Sequence, residues 1–253
     1  MTENVAEARR LLRKEAGKLQ KALESNRSRT RGPLVRRFHE VRQMLSPLYA
    51  YTSQAGQDFV IDQIMKNKRE GTFLDVGGFD GVTGSNTFFL ETNRGWTGAL
   101  VEPVNAQLVK AAVFRTCPCI GVAIAPTEGE ADFIEISEGF TQMSGLAGTY
   151  EDKLLKRVRS DKRHRETFIK VQTKTLSSII EYAEIPDPDF ISLDIEGGEI
   201  ACLKTFPFKD HDVKAWAIEN NTGTTEIRDI MTKNGYDLIE FCGPDELYFK
   251  QPK

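Results

Sequence analysis

Acidic residues stand at or near the ends of three short apolar runs in this 253-residue chain: Asp75 in Thr72–Val76, Glu102 closing Thr97–Glu102, and Asp194 just after Asp189–Leu193. Such runs, broken by turn residues, read as buried strands. In open α/β sheets ligands bind beyond the carboxyl ends of the strands, so these acids are expected to converge there. Fixed carboxylates in such a place can accept hydrogen bonds from hydroxyls, hold a cation or take up a proton.

The stretch Gly71–Gly81 reads Gly-Thr-Phe-Leu-Asp-Val-Gly-Gly-Phe-Asp-Gly. Gly77, Gly78 and Gly81 form the turn after the first strand, with backbone N–H groups expected to cradle a nucleotide-like ligand. The spacing is D-x-G-x-x-x-G, which lacks the G-x-G-x-x-G of dinucleotide folds and argues against a nicotinamide dehydrogenase. Glu102 follows Gly81 by 21 residues, the place of an acid that binds both ribose hydroxyls. Together these features suit a cationic, phosphate-free nucleoside, namely S-adenosylmethionine.

The elements that must position these residues alternate. Helical spacing covers Gln57–Met65, Ser85–Glu91, Val104–Phe114, Leu176–Ala183, Glu199–Thr205 and Glu226–Asn234. Strands are expected at Cys119–Ala125, Glu130–Ile136 (an edge or hairpin strand), Phe168–Thr173 and Val213–Ile218. Tyr236–Phe241 and Glu246–Lys250 form a final pair, read as an antiparallel edge. Gly139–Thr149 reads as a mobile lid loop, and Glu151–Arg165 carries seven basic side chains.

Composition bounds the class. Hydrophobic residues make up 40% and charged residues 28%, as in a water-soluble globular domain with a sizeable core. No run of eighteen apolar residues is present, so a transmembrane span is not expected, and the charged N-terminus does not read as a signal peptide. Cys117, Cys119, Cys202 and Cys242 read as free thiols of a cytoplasmic protein rather than a zinc site. Residues 1–50 hold 12 Lys+Arg against 5 Asp+Glu, a balance of +7, and the remainder balances at −10. Residues 4–24 and Leu34–Leu45 read as two helices of a basic extension, residues 1–49, preceding a domain at 50–253. The expected use of that extension is packing on the body or self-association into a homo-oligomer, ahead of a membrane surface or nucleic acid.

Several motifs together resemble the FkbM family of S-adenosylmethionine-dependent methyltransferases: Ser53-Gln-Ala-Gly-Gln-Asp58, Asp75-Val-Gly-Gly-Phe-Asp-Gly81, Ser85-Asn-Thr87, Gly95-Trp-Thr-Gly98 with Glu102-Pro103, Leu193-Asp-Ile-Glu-Gly197 and Gly235-Tyr236. The resemblance spans about residues 50–250. It implies the class I methyltransferase (Rossmann-like) fold, a seven-stranded, mostly parallel sheet with an antiparallel last strand. It also implies that Asp75, Gly77, Asp80 and Gly81, with Gly78 in the same turn, hold the methionine part and Glu102 the ribose. Asn86 is the expected further contact. Phe79 stands where the wider superfamily has a glycine.

The expected activity is O-methylation of a hydroxyl on a sugar, polyketide or other small metabolite. Glu196 is the expected general base, with Asp194 beside it in the catalytic group. Asp194, Glu219 and Asn220 are similar to the Mg²⁺ ligands of catechol-type O-methyltransferases; the alternative left open is hydrogen bonding without metal. An anionic acceptor would employ Arg157, Arg159 or Arg163. A non-catalytic scaffold that binds S-adenosylmethionine and works through its basic helices is the competing reading.

Overall fold

The computed structural model describes residues 3–250. Two helices come first, α1 (Glu3–Ser25) and α2 (Arg31–Leu45), followed by α3 (Gln57–Ile64). The chain continues through β1 (Thr72–Val76), α4 (Phe88–Arg94), β2 (Thr97–Val101), α5 (Asn105–Phe114), β3 (Cys119–Ile120) and β4 (Ala123–Ile124). Next come β5 (Gly129–Glu138), β6 (Gly145–Leu146), α6 (Asp152–Arg159), β7 (Arg165–Lys174), α7 (Leu176–Tyr182) and β8 (Phe190–Leu193). It ends with α8 (Glu199–Thr205), β9 (Ala215–Glu219), α9 (Glu226–Lys233), β10 (Tyr236–Cys242) and β11 (Asp245–Lys250).

The main sheet has seven strands in the order β10-β11-β9-β8-β1-β2-β3, parallel except for β11, which runs against both neighbours. The expected sheet is therefore present. The last strand differs from its expected place: it inserts between β9 and β10 instead of forming the edge. Parallel strands covered on both faces must be apolar on both faces, and β8 and β9 are buried at every residue. Alternation then divides the core. Leu74, Ile191, Trp216 and Ile218 pack with α7, α8 and α9, while Phe73, Phe190, Ala215 and Leu247 pack with α3 and α4.

A second sheet, β4-β7-β5-β6, was not anticipated. The expected strand Cys119–Ala125 splits at Gly121, giving β3 to the main sheet and β4 to the small one. The run at 168–173 lies within β7, which pairs antiparallel with β5 in the small sheet rather than joining the parallel array. Its exposed alternation fits a sheet solvated on one side.

The basic extension is fastened to the body. Arg31 makes a two-toothed ion pair with Glu240 on β10, both N···O distances 2.6 Å, with both side chains mostly buried. Gly32 lies against Gly243, whose N–H donates to the Gly32 carbonyl at 3.1 Å; a Cβ at Gly32 would overlap the Gly243 carbonyl oxygen. The Arg42 guanidinium sits 4.1 and 4.0 Å from the Tyr49 and Phe59 rings, a cation–π clamp at the other end of α2. Charge-assisted forks of this geometry are the strong kind. A double-mutant cycle with Arg31→Met and Glu240→Gln should give a coupling of about 1–3 kcal/mol in chemical denaturation. Additive single effects would show that the pair does not fasten the extension.

Candidate functional site

The sheet register places the carboxylates side by side. Val76 pairs with Val101 on one side and Leu193 on the other, and Leu193 pairs with Ile218. The next residue on each strand is Glu102, Gly77, Asp194 and Glu219, and Asp245 of β11 pairs with Glu219. One row at the carboxyl edge of the sheet thus holds four acids and one glycine. It straddles the boundary between β1 and β8, where the chain reverses its order across the sheet and ligands of such folds bind.

Gly77 is required by close approach. Its φ is +80°, and a Cβ would overlap the Asp194 carbonyl oxygen. A Cβ at Gly78 would run into the Leu100 side chain. The N–H groups of Gly77 and Gly78 both donate to the Val101 carbonyl, at 3.0 and 3.1 Å. That of Phe79 donates to Glu102 Oε2 at 3.0 Å, and that of Gly81 to the Gly78 carbonyl at 2.9 Å. The expected N–H cradle is therefore corrected: these donors are spent internally, and the glycines supply space. A pyrophosphate would find few free donors here, whereas a ligand held by carboxylates would not need them. Phe79, at the superfamily's glycine position, adopts φ +48°, an uncommon backbone for a bulky residue.

An open cleft lies over this row, with about 1270 Å³ between its walls, mouth included. Asp75, Gly77, Gly78, Asn86, Glu102 and Asp194 all line it, as do Glu196 and Glu219. Asp80 and Gly81 are not among the residues that line it. Asp80 instead accepts from the N–H groups of Val82 and Thr83 and from Thr83 Oγ1, at 2.7–3.0 Å, which hold its carboxyl below the usual range against the opposing effect of its partial burial. Gly81 packs on Arg115 and Ala111 of α5.

Asp75 is held from behind. Its Oδ2 accepts from Thr87 Oγ1 at 2.5 Å, Ser85 Oγ at 3.1 Å and the buried Arg115 guanidinium at 3.3 Å. Thr87, at the N-cap position of α4, thus spends its hydroxyl on Asp75 rather than on capping the helix. Arg115 also pairs with Glu91, so the cluster is balanced by one cation between two acids. Asn86 donates to Ser192 Oγ at 2.9 Å and leaves its buried Oδ1 without a partner. Glu102 accepts from the Phe79 and Val104 N–H groups at 3.0 and 2.8 Å. Burial outweighs those bonds and pushes its carboxyl up to about 7.

Asp194, Glu196 and Glu219 bring carboxylate oxygens within 4.8 Å of one another. Asn221 Nδ2 bridges two of them, 2.7 Å from Glu219 Oε2 and 3.3 Å from Glu196 Oε2. Glu196 adopts φ +57°, in a turn held by Glu199, whose Oε1 accepts from the Ile195 and Gly197 N–H groups at 3.1 Å each. Backbone strain of this sort collects at functional sites. Asn220, expected as a ligand beside Glu219, turns away: its Nδ2 donates to Glu246 and the Thr224 carbonyl, and its Oδ1 accepts from Thr222 and the Gly223 N–H. Glu196 stands in its place. Burial first, and then repulsion from neighbouring acids (Asp245 and Glu199 on Asp194, Asp194 on Glu196 and Glu219), raises all three. Asp194 is pushed up to about 8 and Glu196 and Glu219 well above the ordinary range, with Asp245 raised to about 6.

The basic run does not face the cleft. Arg159 pairs with Glu166 and Arg163 with Asp161, while α6 packs through Leu154, Leu155 and Val158 behind β5. Arg157 is absent from the lining. Of the expected lid, Thr141–Ser144 does line the cleft, and Tyr150 Oη donates to the Met143 carbonyl at 2.5 Å. His211, which reads from sequence as a surface loop residue, is buried between Ser177 and the Pro186 carbonyl. Sequence reasoning missed Arg36, Asp245 and Asn221. Gln57 lay inside a recognised motif without a role, and its Nε2 donates to Asp245 at 2.8 Å.

A seven-stranded sheet in this order, with the reversed strand inserted second from the edge and acids at the switch point, defines a class I methyltransferase fold. The family model described as "Methyltransferase FkbM domain" matches residues 75–238, and the chain belongs to that family. Among solved structures, the methyltransferase FkbM from Methylobacillus flagellatus KT is similar at TM-score 0.50 and 13% identity, over 91% of this chain and 57% of that one. This chain therefore spans little more than half the length of that relative. A TehB-like SAM-dependent methyltransferase from Corynebacterium glutamicum gives 0.41 and 11%, over 85% and 97% of the two chains. A precorrin-6y C5,15-methyltransferase from Geobacter metallireducens GS-15 gives 0.41 and 10%, over 80% and 91%. No curated protein matches the chain significantly. Among the described residues, no helix is long and apolar enough to cross a membrane.

The raised acids have a consequence for stability. In the unfolded chain these carboxyls ionise near pH 4, whereas in the fold Asp245, Glu102 and Asp194 ionise only at about 6, 7 and 8 and burial holds Glu196 and Glu219 well above the ordinary range, so the folded state binds more protons across that interval. Stability must fall as pH rises through it. With chelator present, the melting temperature should drop by at least about 5 °C from pH 6 to pH 8, and Glu219→Gln should flatten the slope. A melting temperature that rises over this range would contradict the assigned burial.

Proposed function

We propose that this chain transfers a methyl group from S-adenosylmethionine to a hydroxyl oxygen of a small metabolite. The observation that carries the reading is the row of carboxylates at the switch point, with Glu102 at one end and the Asp194, Glu196 and Glu219 group at the other, in a single cleft. The donor set suits this cofactor: acids complement a sulfonium and an ammonium, and the glycine turn has few N–H groups left for phosphate. When bound, S-adenosylmethionine supplies an electrophilic methyl on a positively charged sulfur. Glu102 would accept both ribose hydroxyls, Asn86 would offer its unpartnered Oδ1 to the methionine ammonium, and Asp75, fixed by Arg115, would set the same end.

The chain's own catalytic part is alignment and proton removal. Glu196 would take the acceptor hydroxyl proton as its oxygen attacks the methyl carbon, its basicity increased by the burial that raises its carboxyl well above the ordinary range. Its turn is braced by Glu199, and Asn221 fixes its distance from Glu219. Residues 50–253 would form the catalytic domain and residues 1–49 an extension that contributes to it.

The three clustered carboxylates also support a second reading of the same site. Their hard oxygen donors fit Mg²⁺, which would acidify and orient the hydroxyl, with Glu196 replacing Asn220 in the ligand set. Both readings are separated by one assay, transfer of labelled methyl from S-adenosylmethionine to a fractionated metabolite pool. Glu196→Gln should lower turnover about 100- to 10,000-fold with cofactor binding retained. Loss of turnover on chelation, restored by Mg²⁺, makes Glu196 a ligand; indifference to chelator leaves it the base. Cofactor binding with no transfer to any fraction would favour the scaffold reading instead.

A further inference from the structure

We propose that Arg36 is the acceptor-recognition residue of this cleft, and that the acceptor carries an oxyanion, carboxylate or phosphate, besides the hydroxyl to be methylated. The inference rests on the methyltransferase reading and names its substrate class. Among the described residues that line the cleft, Arg36 is the sole Lys, Arg or His, against six acidic side chains. It comes from α2, in the extension outside the matched family region.

Its placement is built. Arg36 lies one helical turn beyond Gly32, on the same side of α2. Gly32 abuts Gly243, the residue before Pro244 and Asp245, both of which line the cleft. One turn further on, His39 packs against Gly56, beside the lining residues Gln54, Ala55 and Gln57. Gln57 donates to Asp245, so α2, residues 54–57 and residues 243–245 make one wall. Arg29 fixes the start of this wall: its guanidinium donates to Glu246 at 2.6 Å, to the Pro244 carbonyl at 3.2 Å and to the Asn220 carbonyl. With Arg31 on Glu240, the helix that carries Arg36 is pinned at its first turn.

Arg36 itself is uncommitted. Among the described residues its one ion pair is with Glu40 on the next turn of the same helix, single-toothed at 3.2 Å, with both side chains about half exposed. Such pairs are weak and readily exchanged for a ligand. The polar neighbours in its wall, Gln54 and Gln57, are uncharged, so an anion that displaces Glu40 from Arg36 meets, among the described lining residues of that wall, only Asp245 as a negative group, which Gln57 already engages. A planar guanidinium on a fixed helix can take an oxyanion by two parallel hydrogen bonds. The hydroxyl end of the acceptor would then reach the acids on the opposite part of the row.

The test begins with protein loaded with S-adenosylhomocysteine, binding of which is measured first. Isothermal titration then compares a hexose, its 6-phosphate and the corresponding uronate. At least one charged probe should bind about ten- to hundredfold more tightly than the neutral hexose. Arg36→Ala should remove that advantage, Arg36→Lys should keep part of it, and added salt should weaken it. Arg159→Ala should change nothing, since Arg159 lies outside the cleft. Equal binding of neutral and charged probes, no binding of any charged probe, or an undiminished advantage in Arg36→Ala would overturn the proposal. Failure of S-adenosylhomocysteine to bind would instead sink the methyltransferase-site reading on which it rests.

Discussion

The close approach of Gly77 to the Asp194 carbonyl is the contact on which the site depends. The chain leaving β1 must turn across the end of β8, and no side chain fits between them. With glycine there, Glu102, Asp194 and Glu219 can stand in one row, the Gly77 column lying between Glu102 and Asp194. A larger residue would force β1 and β8 apart where their parallel pairing ends, and the row would lose its register. The spent N–H groups of the turn follow from the same geometry, because the chain curls back onto the Val101 carbonyl as it crosses.

Crowding acids in this way opposes folding, and the remainder of the structure offsets that cost. Asp75 is balanced by the buried Arg115, and Glu91 completes a three-charge cluster behind it. Glu199 is satisfied by backbone N–H groups, Asp245 by Gln57, and the outer pair Glu196 and Glu219 by Asn221. Among the described residues, Asp194 has no cationic partner. Uncompensated, partly protonated acids at a cleft floor are what a cationic ligand or a proton-transfer step can use. The same arrangement explains why the extension matters: its arginines, 29, 31 and 36, bring positive charge to an edge of the body that is otherwise acidic.

Much of this was legible in the chain. The central strands announced themselves because both faces are covered, which demands unbroken apolar runs such as Thr72–Val76 and Ala215–Glu219. The acids at their ends were legible because an acid has no reason to close a buried strand unless it does something there. The second sheet was not, since β4 and β6 are two residues long and owe their existence to partners as distant as Thr173 for Ala123. Asp80 and Asn220 misled because sequence shows that a side chain can donate or accept, not that Thr83 or Glu246 has already engaged it. The basic run around Arg159 misled for a similar reason, its charges being answered locally. Arg36 carried no signal, because only the docking of α2 against Gly243 brings it to the cleft.

The central claim is that this row of acids receives S-adenosylmethionine, with Glu102 on the ribose. Isothermal titration of S-adenosylhomocysteine into the wild type and into Glu102→Gln at pH 8 tests it most directly, with the fold of the variant checked first because both Glu102 oxygens accept backbone N–H groups. The account predicts one site per chain in the wild type and affinity reduced at least about tenfold in the variant. Equal affinity in the two proteins, with the variant folded, would contradict it.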